Sequence, residues 1–433
     1  MQIKNQLLNI SIFITFSLFV SFGRGYGLYF LLSLTSLILL KDSWPKKFNI
    51  DQKLIIFSIL LFFLSHLMQI VLHGDKASVI DTSWRTIFII SIILVIVKFR
   101  PSVTLLFSSL ISSAFFAALS GFLLIYLANH FNKGWARLYS FDSAEHPNLP
   151  HIIKQFFQDW MPIQTGGFLA SLFLFLTVFI IYFLKKRKFY STVFCIIINA
   201  FLMFLLIKAQ ARGAWISLLP IILLIVFLSL NTNSRKKCYI ASAIIITFLC
   251  LFFFNQTTNY EIKRTISSIS PSKTDTENHY STYERIQLWK SAIYSFHGAP
   301  LLGYGYKGQS KIRMEQNKEK IVNIDKNFIV GHAHNQYLQA LQTRGLIGLL
   351  SLFMFFLSPL YIFIKNFKAS TNDINSRTVN ILGMTLVLSV MIFSLTQSYI
   401  HHMSGILFYS CFVSVFLGYS LYLNNLQNKA ENL

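Results

Sequence analysis

The sequence predicts an all-α, polytopic integral membrane protein of about twelve transmembrane helices, with a large loop carrying short helices between the ninth and tenth. Three observations predict it. Hydrophobic residues make up 54% of the 433, and charged residues only 12%, well below the soluble-protein average. The 44 phenylalanines and a mean hydropathy of +0.55 suit a lipid-facing surface. Apolar runs of about 20 residues, the length that crosses a bilayer, recur along the whole chain.

In order, the runs are 7–22, 26–40, 54–72, 86–97, 103–128, 167–184, 191–207, 214–230, 239–254, 346–364, 379–397 and 404–423, of which the second and fourth are short. The first follows Lys4 and has the look of a signal peptide. It lacks a small-x-small cleavage site and leads straight into the second run, so a retained span is expected. Alternate short loops carry Lys41, Lys46, Lys47 and Lys53; Lys98 and Arg100; Lys185, Lys186, Arg187 and Lys188; Arg235, Lys236 and Lys237; and Lys365, Lys368 and Arg377. The positive-inside rule places those loops, and both termini, in the cytoplasm. The bulk of 1–433 is then a single transmembrane domain, and the two long loops, 129–166 and 255–333, face outward.

Within the larger loop, 282–296 reads as an amphipathic helix with Tyr283, Ile286, Trp289, Ile293 and Phe296 on one stripe. Lying along the membrane surface would bury that face. The segments 267–278 and 307–326 are polar and read as irregular, and no fixed-period repeat is visible. Cys195, Cys238, Cys250 and Cys411 fall in or beside apolar runs, without a CxxC, so neither a disulfide framework nor a zinc site is expected. The net charge of +22 would suggest nucleic acid in a soluble protein. Here no soluble basic domain exists to hold it, and the charge is assigned to cytoplasmic anchoring and anionic membrane lipids.

Chemistry concentrates at the outer face. Gly331-His332-Ala333-His334-Asn335-Gln336 stands at the mouth of the tenth span, where polar groups are costly to keep. Arg212, in Gln210-Ala211-Arg212-Gly213-Ala214, opens the eighth span, and Arg285 borders the apolar stripe of the loop helix. Each has an ordinary explanation taken singly. Arg212 could snorkel to the interface, Arg285 could pair with Glu284 or a lipid phosphate, and His334 could be a hydrogen-bonded interfacial side chain. Their coincidence on one side, from distant parts of the chain, favours a site. A metal held by His332 and His334 is not expected. The i,i+2 spacing splays two rings about 200° apart on a helix, and no cysteine or carboxylate is adjacent.

Two arginines and a histidine suit a diphosphate substrate. Guanidinium grips phosphate oxygens bidentately and keeps its proton, while histidine can take a proton from an attacking hydroxyl. Fixed arginines also stabilise the charge that grows on a departing diphosphate.

These residues resemble the bacterial O-antigen ligase and polymerase family of lipid-linked polysaccharide glycosyltransferases. His334-Asn335 with Leu338 and then Gly345-Leu346-Ile347-Gly348 resembles the family's HN-x-x-L…G-x-x-G segment. Gln210-Ala211-Arg212-Gly213-Ala214 resembles its arginine at a span mouth. Glu284-Arg285-Ile286 with Trp289, followed by Pro300-Leu301-Leu302-Gly303-Tyr304-Gly305, resembles its loop helix and glycine turn. By motif the resemblance covers roughly the C-terminal half, and by topology the whole chain.

The resemblance implies transfer of a glycan from undecaprenyl diphosphate to a sugar hydroxyl, usually on lipid A–core. It implies a reaction at the periplasmic face of the inner membrane, with inversion and without a metal or other cofactor. It makes His334 the general base and assigns the diphosphate to Arg212 and Arg285. Asn335, His332 and Arg344 would support them, Asn335 by fixing the orientation of His334; Arg344 could instead face headgroups. The ligase is favoured, with the polymerase and the protein O-oligosaccharyltransferase as alternatives within the family. A transporter is the rival from another class. It is disfavoured because the ionisable groups sit at the interface and not at the midplane, and because both long loops lie outside.

Overall fold

The computed structural model describes residues 2–21, 25–130, 162–209, 211–230, 280–325 and 331–431, with isolated residues 239, 242 and 329. Among them the protein is all-helical, without strands. The helices are α1 (Gln2–Leu18), α2 (Tyr26–Ser43), α3 (Ile50–His73), α4 (Phe88–Phe99), α5 (Val103–His130), α6 (Pro162–Lys185), α7 (Phe189–Lys208), α8 (Arg212–Ser229), α9 (Tyr280–Gly298), α10 (Gly305–Lys318), α11 (Gln336–Ala369), α12 (Ile374–Thr396) and α13 (Met403–Glu431). Eight helical stretches among the described residues are long and apolar enough to cross a membrane, and α8 is a shorter apolar helix. Eleven of the twelve predicted spans thus coincide with helices. The ninth, at 239–254, lies outside the described residues, as do most of the loop 129–166 and the segment 267–278.

Local sequence explains where the helices begin and end. Asn49 caps α3 by accepting from the Gln52 N–H at 2.8 Å, and the Gln52 side chain accepts from the Asn49 N–H at 3.0 Å. This reciprocal box satisfies two of the donors that every helix start leaves orphaned. At the other end of α3, Gly74 adopts a left-handed conformation that stops it.

The interior is a phenylalanine core. The Phe412 ring of α13 lies 4.4 Å from both Phe16 of α1 and Phe408, and 6.0 Å from Phe175 of α6. From Ser404 to Leu423 α13 is buried at every residue, with α4, α11 and α12 against it. Helices α3 and α11 run antiparallel. Lys365, late in α11, reaches Asp51 at the start of α3 (2.8 Å), while Arg344, early in α11, meets Ser65 and His66 near the end of α3. The short basic loops among the described residues collect at the end marked by Lys365 and Asp51. The starts of α6, α8, α11 and α13 and the ends of α3 and α12 collect at the other.

Three expectations for the large loop need correction. The polar stretch 307–326 is not irregular: through Lys318 it is helix α10, with Gln309, Arg313 and Gln316 buried. The helix expected at 282–296 is present as α9, yet its buried face is not the large apolar stripe. Glu284, Gln287, Leu288, Ser291, Ala292 and Ser295 are buried, while Ile293 is 52% exposed. Small polar side chains win that face because they bond to the partners packed on them. Gln316 donates to Ser295 (3.1 Å), and Gln342 of α11 donates to Ser291 (3.2 Å) and Ser295 (3.1 Å). Finally, α11 starts before the predicted tenth span and breaks at Gly345 (φ 61°, ψ −154°), next to the predicted start at 346.

Candidate active site

The break at Gly345 is one half of a clasp between two glycine turns. Leu346 N–H donates to the Pro300 carbonyl (2.8 Å), Ile347 N–H to Leu301 (3.3 Å), and Tyr304 N–H to Gln342 (3.0 Å). A Cβ on Gly345 would lie 2.5 Å from the Leu301 oxygen, and one on Gly303 would lie 2.5 Å from the Arg344 nitrogen. Only glycine permits that approach, and both residues have positive φ. The motifs Pro300–Gly305 and Arg344–Gly348, apart in sequence, are one structural unit.

Helix α10 is anchored from far away in the chain. The Asp75 carboxylate accepts from the N–H groups of Tyr306 (2.7 Å) and Lys307 (2.9 Å), so an acid beyond α3 caps the start of α10. Further along α10, the fully buried Arg313 donates to the carbonyls of Ile329 (3.1 Å) and Gly331 (2.5 Å) and to the Gln342 side chain (2.7 Å). Burial lowers the Arg313 guanidinium to about 10, which leaves it charged at neutral pH. Arg313 thereby fixes the strand-like segment that delivers His332 and His334.

That segment is held residue by residue. Trp289 Nε1 donates to the Ala333 carbonyl (2.9 Å), and Ala333 N–H donates to Gln339 (2.8 Å). Asn335 caps α11, its Oδ1 accepting from Tyr337 and Leu338 N–H, while its Nδ2 donates to Leu395 at the end of α12 (3.0 Å). Asn335 therefore fixes the backbone around His334. The His334 ring is held by a residue that sequence reasoning passed over: its Nδ1 lies 2.8 Å from Gln397 Oε1. His334 itself is left-handed (φ 49°), uncommon for a non-glycine, with its N–H accepted by His332 Nδ1 at 3.2 Å. His332 thus supports the backbone of His334.

The turn 397–402, between α12 and α13, is where the distant elements meet. Arg285 donates to the carbonyl of the neighbouring Thr396 (3.4 Å). Arg212 is the first residue of α8, and a Cβ on the adjacent Gly213 would collide with the Thr396 hydroxyl. Gln336 accepts from His401 N–H (3.1 Å), and Gln164 of α6 reaches the Tyr399 carbonyl. His334, Arg285 and the start of α8 therefore converge on one turn. Glu284 does not serve that turn: it is buried and accepts from Asp325 N–H (3.2 Å), and burial raises its carboxyl above the usual range.

Arg344 sits apart from this group. It is 2% exposed, bonded to Ser65 and His66, with its guanidinium 5.7 Å from the Phe62 ring centre. It faces no headgroups; it joins α3 to α11 beside the glycine clasp.

Four imidazoles gather at the turn. The His332 ring centre lies 4.2 Å from that of His334, 5.0 Å from His402 and 5.7 Å from His401. No group of three or more His, Cys, Asp or Glu among the described residues has metal-holding geometry. Burial is the main reason that His334 is held down to about 4; the Gln397 bond opposes it, and Arg285, His402 and Arg313 add to it. His401 is likewise held to about 4 by burial, His402 and Arg344, and burial lowers His402. The cluster is neutral at pH 7, so its rings can accept protons or hydrogen bonds. His401, His402 and Gln397 had one signal in the sequence, a Gln-Ser-Tyr-Ile-His-His run between two apolar stretches at the outer face.

Comparison with known proteins bears on the family. Residues 199–353, which hold Arg212, Arg285 and His334, match the family model described as O-antigen ligase. An uncharacterized protein of Haemophilus influenzae is 26% identical over 403 residues, spanning 92% of this chain and 94% of the relative. Over residues 199–353 the chain thus matches the O-antigen ligase family, the family its motifs resemble.

Proposed function

We propose that the protein is an O-antigen ligase, an inverting, metal-independent glycosyltransferase of the bacterial inner membrane whose active site faces the periplasm. The donor is a polysaccharide on undecaprenyl diphosphate, and the acceptor is a sugar hydroxyl of lipid A–core. The observation that carries this reading is the meeting of His334, Arg285 and the start of α8, which Arg212 opens, at the turn 397–402. A neutral imidazole and the Arg285 guanidinium at one helix-end junction supply a base and a diphosphate grip together.

In the proposed reaction the acceptor oxygen attacks the anomeric carbon of the donor as its proton passes to His334. The bond from that carbon to the phosphate oxygen breaks, and undecaprenyl diphosphate leaves with the electron pair toward Arg285 and Arg212. General-base help of this kind is worth about 10²–10⁴ in rate. A bound diphosphate offsets the field of Arg285 and Arg313 and makes the imidazole a better base.

The test has two parts. A deletion strain should make lipopolysaccharide with bare core while long chains accumulate on the carrier; core bearing a single repeat unit would make the protein a polymerase. The His334→Ala variant should insert at normal levels and lose transfer, and near-normal transfer by it would overturn the assignment of the base.

A further inference from the structure

A general base must present a lone pair to its substrate, and imidazole has two nitrogens that compete for one hydrogen. At His334 the surroundings decide the contest. Its Nδ1 stands 2.8 Å from the side-chain oxygen of Gln397. An amide oxygen only accepts, so Nδ1 must carry the hydrogen, and the lone pair belongs to Nε2. An imidazole left in water favours the opposite arrangement.

The other end of the Gln397 amide meets a second imidazole. Its Nε2 lies 3.1 Å from His402 Nε2, which takes the hydrogen bond when His402 carries its own hydrogen on Nδ1. Gln397 is buried (4% exposed), and its carbonyl accepts from Tyr399 N–H at 2.8 Å. His401 N–H is tied to Gln336, and Asn335 ties the cap of α11 to Leu395. The amide thus sits on a turn fastened to the same helix start that carries His334.

We infer that Gln397 is a positioning residue that locks His334 in the Nδ1–H tautomer and aims its Nε2 lone pair at the acceptor hydroxyl, with His402 fixing the sense of the Gln397 amide. This rests on the reading of His334 as the base. An amide suits the task because it sets the tautomer without a charge. Among the described residues, the charged and titratable groups facing His334 are Arg285 from α9, Arg313 from α10, His332 from the preceding segment and His402 from the turn. A carboxylate in place of Gln397 would raise the proton affinity of the ring in their midst.

The test uses the full chain labelled with ¹⁵N-histidine, with the His334 signals assigned by difference from a His334→Gln sample. Wild type should show His334 with hydrogen on Nδ1 and a bare Nε2. Gln397→Leu should shift His334 toward the Nε2–H form and lower kcat by about 10–100-fold, with KM changed less than about threefold. Gln397→Glu keeps an acceptor at the same place. It should recover rate relative to Gln397→Leu and move the acid limb of kcat/KM up by about 1–3 pH units. Hydrogen on Nε2 in wild type would overturn the inference, as would both variants keeping wild-type kcat and an unmoved acid limb. If wild type shows the Nδ1–H form but transfers no glycan to any acceptor, the base reading falls and the tautomer lock stands.

Discussion

Replacing Gly345 with alanine tests the clasp between the two glycine turns, and through it the frame of the site. The backbone there is at φ 61°, ψ −154°, a region that is essentially glycine-only and costs other residues about 1–3 kcal/mol. The added Cβ would also press on backbone, 2.5 Å from the Leu301 oxygen and 2.6 Å from the Leu302 nitrogen, where no side chain can swing aside. Relief requires the turns to part, which breaks the bonds from Leu346 to Pro300 and from Ile347 to Leu301. Two backbone bonds at a net value of about 1 kcal/mol each bring the total to about 3–5 kcal/mol. Cys195 and Cys411 are free and buried, so in a background with Cys238 and Cys250 replaced by serine, reaction with a thiol dye during denaturant or thermal unfolding in detergent reads the loss. Gly27→Ala is the control: a Cβ there meets nothing within 4 Å, and the change should be neutral or stabilising by up to about 1 kcal/mol. A Gly345→Ala protein that unfolds with the control would refute the reasoning, since strain and collision would then have no cost.

Other expectations follow from the site. With His334 held to about 4, kcat/KM should stay level from pH 8 to about 5 and fall only as pH approaches 4; a limb near 6.5 would mean an unperturbed ring. The sign for stability is the same. The unfolded chain takes up the His334 proton near 6.5 and the folded chain near 4, so stability falls as pH drops through that window, by about 2 kcal/mol from this residue at pH 5. Arg313→Met leaves the Gly331 and Ile329 carbonyls and Gln342 without their buried donor, and should cost about 3 kcal/mol or more in a denaturant titration. Arg285→Lys should cut transfer at least about tenfold, because an ammonium cannot grip a phosphate as a fork; an unchanged rate would make Arg285 a structural or lipid contact. Transfer should survive EDTA, and activity lost to EDTA and restored by a divalent ion would end the metal-free proposal.

The bundle was legible in the sequence because hydropathy reports burial in lipid directly. Among the described residues the apolar runs coincide with helices even where they were short, as at 26–40 and 86–97. The loop structure was not legible, for a different reason in each part. Helix α10 is polar along its length, and its cap, Asp75, lies over 200 residues away, so no local pattern announces it. On α9 the apolar stripe pointed to the wrong face, because the buried side is chosen by hydrogen bonds from Gln316 and Gln342 to its serines. Within the site, His334 stood out as a polar group at a span mouth, and Arg285 as a cation bordering the apolar stripe of the loop helix. Gln397 was hidden because it reads as the tail of an apolar run, and its importance comes only from a partner 63 positions earlier. Arg313 lay in a stretch read only as polar and irregular, and its three acceptors come from Ile329, Gly331 and Gln342.

The position of α13 has a consequence for biogenesis. The helix that follows the turn 397–402 is the same one that protein surrounds on every side across its membrane-length part. It carries buried serines, Ser404, Ser410, Ser414 and Ser420, that lipid would solvate poorly. A nascent chain therefore releases this serine-bearing segment after the walls that receive it have been made. Until that segment docks, the loop bearing Gln397 and His402 has no fixed anchor on its far side. Catalytic competence would then arrive last during synthesis, and a ribosome stalled before α13 would leave a membrane-inserted but inert precursor.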